Sequence, residues 1–320
     1  MRCFSVITLL CALIICERVS AQDPMFTDQS FAYSSVNPAL TGAYGYMRVE
    51  SCYRLQWPKL AGNYQTMILG VDNPTRFGNA GMQFMYDNAG DVLKTVRGDL
   101  NFSYPIRLWK DTLGVGKVVL QPGFQVSFQS VSIDWNALTF GDMIDPRRGF
   151  VYQTNQVSNT TRRTNIDFSA GLLAYHKRFS AGLAVFHITE PNQGFMGNGA
   201  LPTRYVLHFS GVIGNADPGK MEALRVVPSI YFSRQGDFEM LTVAATTHYR
   251  NAQLGIGYRN RDAIFFSAGY TKWNCTLTYS YDVTLYYLKG LTGGAHEIHF
   301  RFSLMEGIHS IARSNMRMHY

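Results

Sequence analysis

The stretch that decides the fold is Trp273–Leu304, WNCTLTYSYDVTLYYLKGLTGGAHEIHFRFSL. From Trp273 to Thr284 apolar and polar residues alternate without a break, and after a Gly-rich turn the alternation resumes from Ile298 to Leu304. Successive side chains of a β-strand point to opposite faces. Each of these two segments therefore predicts a strand with one apolar face and one polar face.

The length of these segments indicates where the strands lie. Strands in soluble sandwiches usually have about five or six residues, whereas a tilted strand needs roughly 9–11 residues to cross the hydrocarbon of a membrane. The segments within Trp273–Leu304 fit the second case. We therefore expect an all-β fold, a single antiparallel transmembrane β-barrel of the outer-membrane type.

The composition agrees with such a barrel. The charged share of the 320 residues is 16%, below the roughly 25% of soluble domains, while Tyr (19) and Phe (21) are abundant. Beyond the leader, no segment approaches the ~20 consecutive apolar residues of a membrane helix, which excludes a helical membrane protein. The net charge of +7 is spread thinly and forms no basic run with interleaved aromatics, so no nucleic-acid partner is indicated.

The chain begins with a typical export signal. Arg2 is followed by the apolar run Phe4–Cys16 and by small residues, which predicts a signal peptide over 1–21 that is cleaved after Ala21. Export of a barrel predicts the outer membrane of a Gram-negative bacterium. Outside this leader the cysteines are Cys52 and Cys275. They are either a disulfide pair or two small apolar residues, and the second interpretation is favoured.

The remaining chain divides into three parts. Residues 22–44 are punctuated by Pro and Gly without a regular period, and we expect this non-barrel segment to tuck into, or across, one mouth of the barrel. Residues 45–304 form the barrel, and 305–320 are a basic tail. The alternation predicts fourteen strands, an even number as closed bacterial barrels have: 45–56, 63–72, 77–87, 93–107, 117–130, 165–176, 179–188, 203–214, 223–234, 237–249, 252–260, 263–271, 273–284 and 294–304.

Two long segments interrupt the strands, 131–164 and 189–202. The first carries Asp142, Asp145 and Arg147, which suggest either a calcium ligand set or, more in keeping with their spacing, a turn stabilised by Asx side chains. The basic pairs of the first segment would face acidic lipid head groups of the outer membrane, a partner or solvent.

A second group of polar residues surrounds the other long segment. His187 and Glu190, with His208, are the nearest approach to metal ligands, but their spacing matches no known metal motif. A hydrogen-bonded corner formed by His187 and the turn Glu190-Pro191-Asn192 explains them better. No cofactor motif is present. A hydrolase that assembles Ser280 and His299 from neighbouring strands is a further hypothesis, although polar lumen residues are required in any barrel.

Charged residues on the polar faces of strands predict ion pairs inside the barrel. Asp282 needs a cationic partner, which Arg259 or Arg301 would supply from a nearby strand, and Glu297 shares the polar face of the last strand. Such a pair either fixes strand register or contacts a bound protein. We interpret Tyr53, Arg54 and Trp57 as anchors at the barrel rim, with a recognition surface as the alternative.

Several motifs in order resemble those of the PorP/SprF family of type IX secretion system membrane proteins. The resemblance covers nearly the whole chain after residue 22 and rests on these stretches: DP-x-FT near Asp23, NPALTG (Asn37–Gly42), YRLQWP (Tyr53–Pro58), LTFGDMIDPRRGFVYQT (Leu138–Thr154), DFSAGLLAY (Asp167–Tyr175), HITEPN (His187–Asn192), YRNRDA (Tyr258–Ala263), YSYDVT (Tyr279–Thr284) and GGAHEI (Gly293–Ile298). Departures from the family pattern are Gly70, Cys52, Cys275 and the C-terminal extension.

The resemblance implies a function as well as a fold. It implies an outer-membrane barrel that works with the type IX secretion and gliding machinery, and not an enzyme. Its partners would be a secreted cell-surface protein, which it binds or anchors, and periplasmic or lipoprotein components of the system. The leading alternative is a transport channel of the fatty-acid-channel or porin kind.

Overall fold

The computed structural model describes residues 22–29, 32–60, 62–108, 118–145, 147–154, 156, 158–214, 224–285 and 290–304. Fourteen long strands dominate it. They are β1 (Met47–Gln56), β2 (Tyr64–Thr75), β3 (Gly78–Ala89), β4 (Leu93–Ser103), β5 (Val119–Ile133), β6 (Arg162–His176), β7 (Phe179–Phe186), β8 (Arg204–Gly211), β9 (Arg225–Gln235), β10 (Phe238–Tyr249), β11 (Ala252–Arg259), β12 (Ala263–Lys272), β13 (Cys275–Thr284) and β14 (Ala295–Leu304).

The strands close into one antiparallel ring. Each pairs with its neighbour in sequence, and β1 pairs with β14 over its whole length, from Met47 opposite Leu304 to Gln56 opposite Ala295. The predicted all-β, fourteen-stranded barrel is therefore confirmed. The predicted signal peptide (1–21) and tail (305–320) lie outside the described residues.

Side chains alternate between the lumen and the outer face as the sequence pattern predicts. On β1, Arg48, Glu50 and Cys52 are buried in the lumen, whereas Tyr53 faces outward and is exposed. On β14, Glu297 and His299 are fully buried while the intervening apolar residues are exposed. The apolar outer face thus surrounds a polar interior, as in outer-membrane barrels.

Shorter elements complete the described part of the chain. The pair Ile106–Arg107 continues the line of β4 beyond a break at Tyr104 and Pro105, and Ile213–Gly214 continues that of β8. The break lies opposite Pro122, whose ring nitrogen cannot donate to the ladder. The other elements are a helix, α1 (Tyr33–Val36), the 3₁₀ turns Pro38–Leu40, Trp135–Ala137 and Gly141–Met143, and a small hairpin of Ile144–Asp145 with Gly149–Phe150. No helix in the described ranges is long and apolar enough to span a membrane.

The two ends of the barrel differ in their connections. The end at which β1 finishes carries the long segments 134–161 and 187–203, and we call it the long-loop end. The opposite end carries the two-residue turns 76–77, 177–178, 250–251 and 273–274 and both termini of the barrel wall, Met47 and Leu304. Its longer connections, 108–118 and 215–224, are shorter than the two long segments.

Candidate functional site: a lumen occupied by the N-terminal segment

The described N-terminal segment, residues 22–29 and 32–46, lies inside the barrel. Ala32–Tyr44 is buried throughout, and its apolar side chains pack against an apolar stripe of the lumen wall. That stripe comprises Val119, Leu173, Tyr175, Ala184, Phe186, Val206, Tyr231 and Met240. Burial of these apolar side chains stabilises the position of the segment in the lumen.

Asn37 makes several polar contacts between the segment and the wall. Its side-chain amide donates to the carbonyl oxygens of Leu172 (3.3 Å) and Leu183 (3.2 Å) and lies 3.1 Å from Nε2 of His208. Its Oδ1 accepts from the amide of Ala39 at 2.9 Å and so caps the 3₁₀ turn that follows. One fully buried side chain thus fixes both the shape of the turn and its position.

Glycines in three adjacent strands make room for this turn. A Cβ atom at Gly171 or at Gly182 would collide with the Asn37 side chain, and one at Gly123 would collide with the backbone of Ala39. Gly123 and Gly171 are direct partners in the β5–β6 ladder. Glycine at 123 permits the approach of one backbone to another, and glycine at 171 and 182 leaves space for the Asn37 side chain, so these residues form a cradle for the turn.

The first charged group inside the barrel lies at the long-loop end, and we call it the Arg54 cluster. It consists of Arg54, Arg259, Asp282, Glu297 and His299. Arg54 contacts Asp282 and Glu297, each at 2.9 Å, and Arg259 contacts Asp282 at 3.2 Å.

The N-terminal segment completes this cluster. The Thr27 amide donates to both carboxylate oxygens of Glu297 (3.0 and 2.9 Å), its hydroxyl donates to Asp282 (2.7 Å), and the Phe26 carbonyl accepts from Arg259 (3.3 Å). The segment therefore supplies hydrogen bonds that the buried charges require.

The structure corrects two details of the sequence interpretation. Arg54 lies in the lumen and not at the rim, because it shares the strand face of Arg48, Glu50 and Cys52. Of the two partners suggested for Asp282, Arg259 does contact it. The other, Arg301, contacts Glu50 instead, at 2.6 Å. Arg54 is thus the partner of Asp282 that the sequence interpretation missed.

A second charged group, the Arg48 cluster, lies nearer the opposite end. Arg48 contacts Asp72 at 2.9 Å and Glu50 at 3.3 Å, and its guanidinium lies over the rings of Tyr33 (4.6 Å) and Tyr44 (4.2 Å). Both tyrosines belong to the N-terminal segment. Cation–π contacts of a desolvated arginine therefore add to the attachment of the segment.

A third group fastens the start of the segment. Asp23 contacts Nε2 of His187 at 2.8 Å and Arg204 at 3.0 Å, and Nδ1 of His187 contacts Asp167 at 2.6 Å. His187 follows the last residue of β7 in a left-handed conformation (φ 57°), which turns its ring into the lumen corner. Glu190 is exposed and accepts from Thr203, while His208 contacts Asn37, so His187, Glu190 and His208 do not converge on a metal position.

The contact between Asp23 and His187 is expected to depend on pH. Burial opposes protonation of His187, but the charge of Asp23 and the hydrogen bonds of Asp167 and Asp23 outweigh it and raise the pKa above the ordinary 6.5. A group whose pKa is raised by folding stabilises fully below its unfolded pKa, and this contribution is lost as pH rises through the folded value. We therefore expect hydrogen-exchange protection of residues 22–29 to be greatest below pH 6.5 and to decline above it.

The His187→Gln variant is the control for this effect. Glutamine retains one hydrogen bond but does not titrate, so the protection factors should become independent of pH in this range. A decline of equal size in the variant and in the unmodified protein would contradict the assignment to His187.

At the long-loop end, the two long segments pack together. The Trp135 ring stacks on Phe140 and meets Phe195 edge-on, with ring centroids 6.3 Å apart in both cases. Arg163 donates to the Gly194 carbonyl at 3.1 Å, which joins the wall to the same loop. The segments therefore form an ordered platform beside the mouth.

The remaining candidate residues shape this platform or its rim. Asp145 accepts from the amides of Arg147 and Arg148, both at 2.8 Å, and these bonds lower the pKa of its carboxyl. Asp142 accepts from Thr154 at 2.9 Å, and Asn192 accepts from two loop amides. The described contacts of Asp145 are those of an Asx turn.

Tyr53, Trp57 and Ser280 take different positions. Tyr53 faces outward, and Trp57, directly after β1, meets Tyr64 edge-on with centroids 5.4 Å apart, at the rim. Ser280 and His299 both face the lumen from adjacent strands, but Ser280 Oγ has no hydrogen-bond partner among the described residues. The described geometry therefore shows no Ser–His pair.

The two remaining cysteines are free, Cys52 in the lumen and Cys275 on the apolar face.

Comparisons with solved structures agree with the barrel. A mutant of the monoaromatic hydrocarbon channel TodX has a TM-score of 0.50 at 12% identity, covering 87% of this chain and 94% of that one. Omp33 of Acinetobacter baumannii has a TM-score of 0.45 at 6% identity, covering 81% of this chain and 98% of that one. A FadL homologue of Pseudomonas aeruginosa has a TM-score of 0.43 at 13% identity, covering 87% of this chain and 93% of that one. At 12% identity the likeness to TodX shows the fold alone.

A family model identifies the chain more specifically. No curated protein matches it. The model of the type IX secretion system membrane protein PorP/SprF matches residues 18–302, which includes β1 to β13 completely and β14 as far as Phe302. The chain therefore belongs to the PorP/SprF family of type IX secretion system membrane proteins.

Proposed function

We propose that this chain is a closed-lumen docking protein of the type IX secretion and gliding machinery. It binds or anchors a secreted cell-surface protein at its long-loop end and couples at its opposite end to periplasmic or lipoprotein components. The observation that carries the proposal is the N-terminal segment inside the lumen, attached by the Arg54 cluster, the Arg48 cluster and the glycine cradle. A continuously open channel does not require such an attachment.

The orientation follows from the general rule for bacterial barrels. Long loops face the cell exterior and short turns face the periplasm. The long-loop end, with segments 134–161 and 187–203, is then the outer end, and Met47 and Leu304 lie on the periplasmic side. The secreted protein and the periplasmic components would therefore meet opposite ends of the same barrel.

The outer end presents an apolar surface suited to protein recognition. The small hairpin and the residues after it expose Ile144, Phe150, Val151 and Tyr152, and Phe150 is 61% exposed. The Asx turn at Asp145 and the hydroxyl of Tyr152, which donates to Asp145 at 2.9 Å, hold this hairpin in shape. A preformed apolar surface with aromatic residues is the usual centre of a protein interface.

Replacement of Phe150 by Ser is expected to weaken capture of the surface protein without unfolding the barrel. Truncation of a central aromatic contact costs about 2 kcal/mol or more of binding free energy, which is roughly a 30-fold loss of affinity. The measurement is recovery of the surface protein on the affinity-purified barrel, quantified by mass spectrometry against the unmodified protein.

Phe77→Ser is the matched control. Phe77 is also an exposed aromatic residue (72%), but it lies in the turn between β2 and β3 at the opposite end. Its replacement should leave capture of the surface protein unchanged. Recovery of neither a surface protein nor a secretion component with the unmodified barrel would overturn the proposed function, and large steady currents in planar bilayers would favour the channel alternative.

A further inference from the structure

Three side chains with metal-binding atoms converge at the seam that closes the barrel. The sulfur of Cys52, a carboxylate oxygen of Glu297 and a ring nitrogen of His299 all lie within 4.8 Å of one another. Cys52 and His299 are direct partners in the β1–β14 ladder, and Glu297 is two residues from His299 on the same face. All three residues are buried, at 2% exposure or less.

The spacing of these atoms suits a small cation. Zn²⁺ binds cysteine sulfur at about 2.3 Å and histidine nitrogen or carboxylate oxygen at about 2.0–2.2 Å, so its ligand atoms lie roughly 3–4 Å apart. Nε2 of His299 already lies 2.5 Å from Oε1 of Glu297. A cation would replace the proton between these two atoms, which would separate to about 3 Å, and a small rotation of Cys52 would complete three protein ligands.

The surrounding contacts would orient the ligands. Arg54 donates to Oε2 of Glu297 at 2.9 Å. Oε1, which lies next to His299, accepts from the amides of Thr27 (3.0 Å) and Asp28 (3.2 Å), and these bonds hold the carboxylate in place. Ser280 lies directly opposite Glu297 in the β13–β14 register, and its fully buried hydroxyl has no hydrogen-bond partner among the described residues. That hydroxyl is an available polar group beside the three ligands. Such second contacts are typical of metal sites in proteins.

The ligands supply the negative charge that a divalent cation requires. A metal ion binds cysteine as the thiolate, so binding would release the Cys52 thiol proton to solvent. The thiolate and the Glu297 carboxylate would then face the two positive charges of the ion.

We propose that Cys52, Glu297 and His299 form a site for a thiophilic divalent cation such as Zn²⁺. Soft sulfur with an imidazole nitrogen selects such ions over Mg²⁺ or Ca²⁺. The ion joins the first and last strands of the barrel and lies directly below Thr27, whose amide donates to Glu297. This role is structural and independent of which protein binds at the long-loop end.

The test uses Co²⁺ as a spectroscopic probe. The full mature chain is refolded from urea into detergent with Co²⁺, and excess metal is removed. The unmodified protein should retain one ion per chain and show the charge-transfer absorption of a cobalt–thiolate bond, and Zn²⁺ should displace it. Cys52→Ser should lose this absorption, and His299→Gln should bind the ion about 10-fold or more weakly.

Cys275→Ser is the matched control, because Cys275 is the other cysteine in the described part of the chain and faces away from the lumen. It should retain both the ion and the absorption. Heat-modifiable mobility in gels identifies the samples that have folded. Folded unmodified protein that retains no Co²⁺, or a thiolate absorption that survives in Cys52→Ser, overturns the proposal.

Discussion

Valine in place of Gly123 is expected to convert a closed barrel into a conducting one. A side chain at this position collides with the backbone of Pro38 and Ala39, which cannot rotate away as a long side chain would. Overpacking of this kind costs typically 1–3 kcal/mol, so the Asn37 turn should leave its cradle while the ring of strands remains closed. Single-channel recording in planar bilayers should show steady currents for the variant and none for the unmodified protein.

Gly98→Val is the control for the change from glycine to valine. Gly98 lies in β4 and faces outward, and a Cβ atom there meets nothing within 4 Å. This variant should remain closed. If the unmodified protein conducts as well as Gly123→Val does, the N-terminal segment does not obstruct the lumen and the closed-lumen proposal is wrong.

Replacement of Arg54 by Met is expected to give the largest loss of stability among single substitutions in the lumen. Arg54 neutralises both Asp282 and Glu297, and all three residues are nearly excluded from solvent. Loss of one partner of a buried ion pair leaves an uncompensated charge and costs about 3–5 kcal/mol. The free energy of unfolding, measured by urea titration of the protein in lipid vesicles, should fall by that amount.

Arg234→Met provides the comparison with an exposed pair. Arg234 contacts Glu239 at 3.5 Å, but both side chains are more than half exposed, so water screens the contact. Its replacement should change the free energy of unfolding by no more than about 1 kcal/mol. Equal losses for the two variants would mean that water reaches the Arg54 cluster freely, contrary to its burial.

The barrel wall could be predicted from sequence because the alternation of apolar and polar side chains is visible within each strand. The period of two in stretches such as Cys275–Thr284 follows directly from the lipid on one side and the polar lumen on the other. The ends of the strands were less certain where side chains at both faces are polar. The sequence predicts that the strand after the first long segment begins at 165, for example, whereas β6 begins at Arg162.

The sequence predicts that residues 22–44 tuck into, or across, one mouth of the barrel, but not which wall residues they contact. Residues 22–44 have no period, and their path depends on contacts with strands more than 200 residues away, such as Thr27 with Glu297. The sequence interpretation groups Arg54 with Tyr53 and Trp57 as a rim anchor. The parity that Arg54 shares with Arg48 and Glu50 indicates the lumen instead.

The glycine cradle shows the same limit of sequence-based prediction for residues of the barrel wall. Gly123, Gly171 and Gly182 interrupt three strands, and glycine in a strand often marks the close approach of another backbone. The sequence does not say which backbone approaches. Only the structure brings the Asn37 turn to these three positions.

The route of the N-terminal segment has a consequence for biogenesis. Asp23 lies at the mouth that carries the long loops, while Met47 begins the wall at the other mouth, so the chain traverses the pore before its first hairpin forms. Thr27 bonds to the final strand, and Arg54 of the initial strand bonds to the same threonine. The machinery that inserts the strands into the membrane must therefore accommodate the N-terminal segment inside the forming barrel. Pairing of β1 with β14 is the step that encloses the segment.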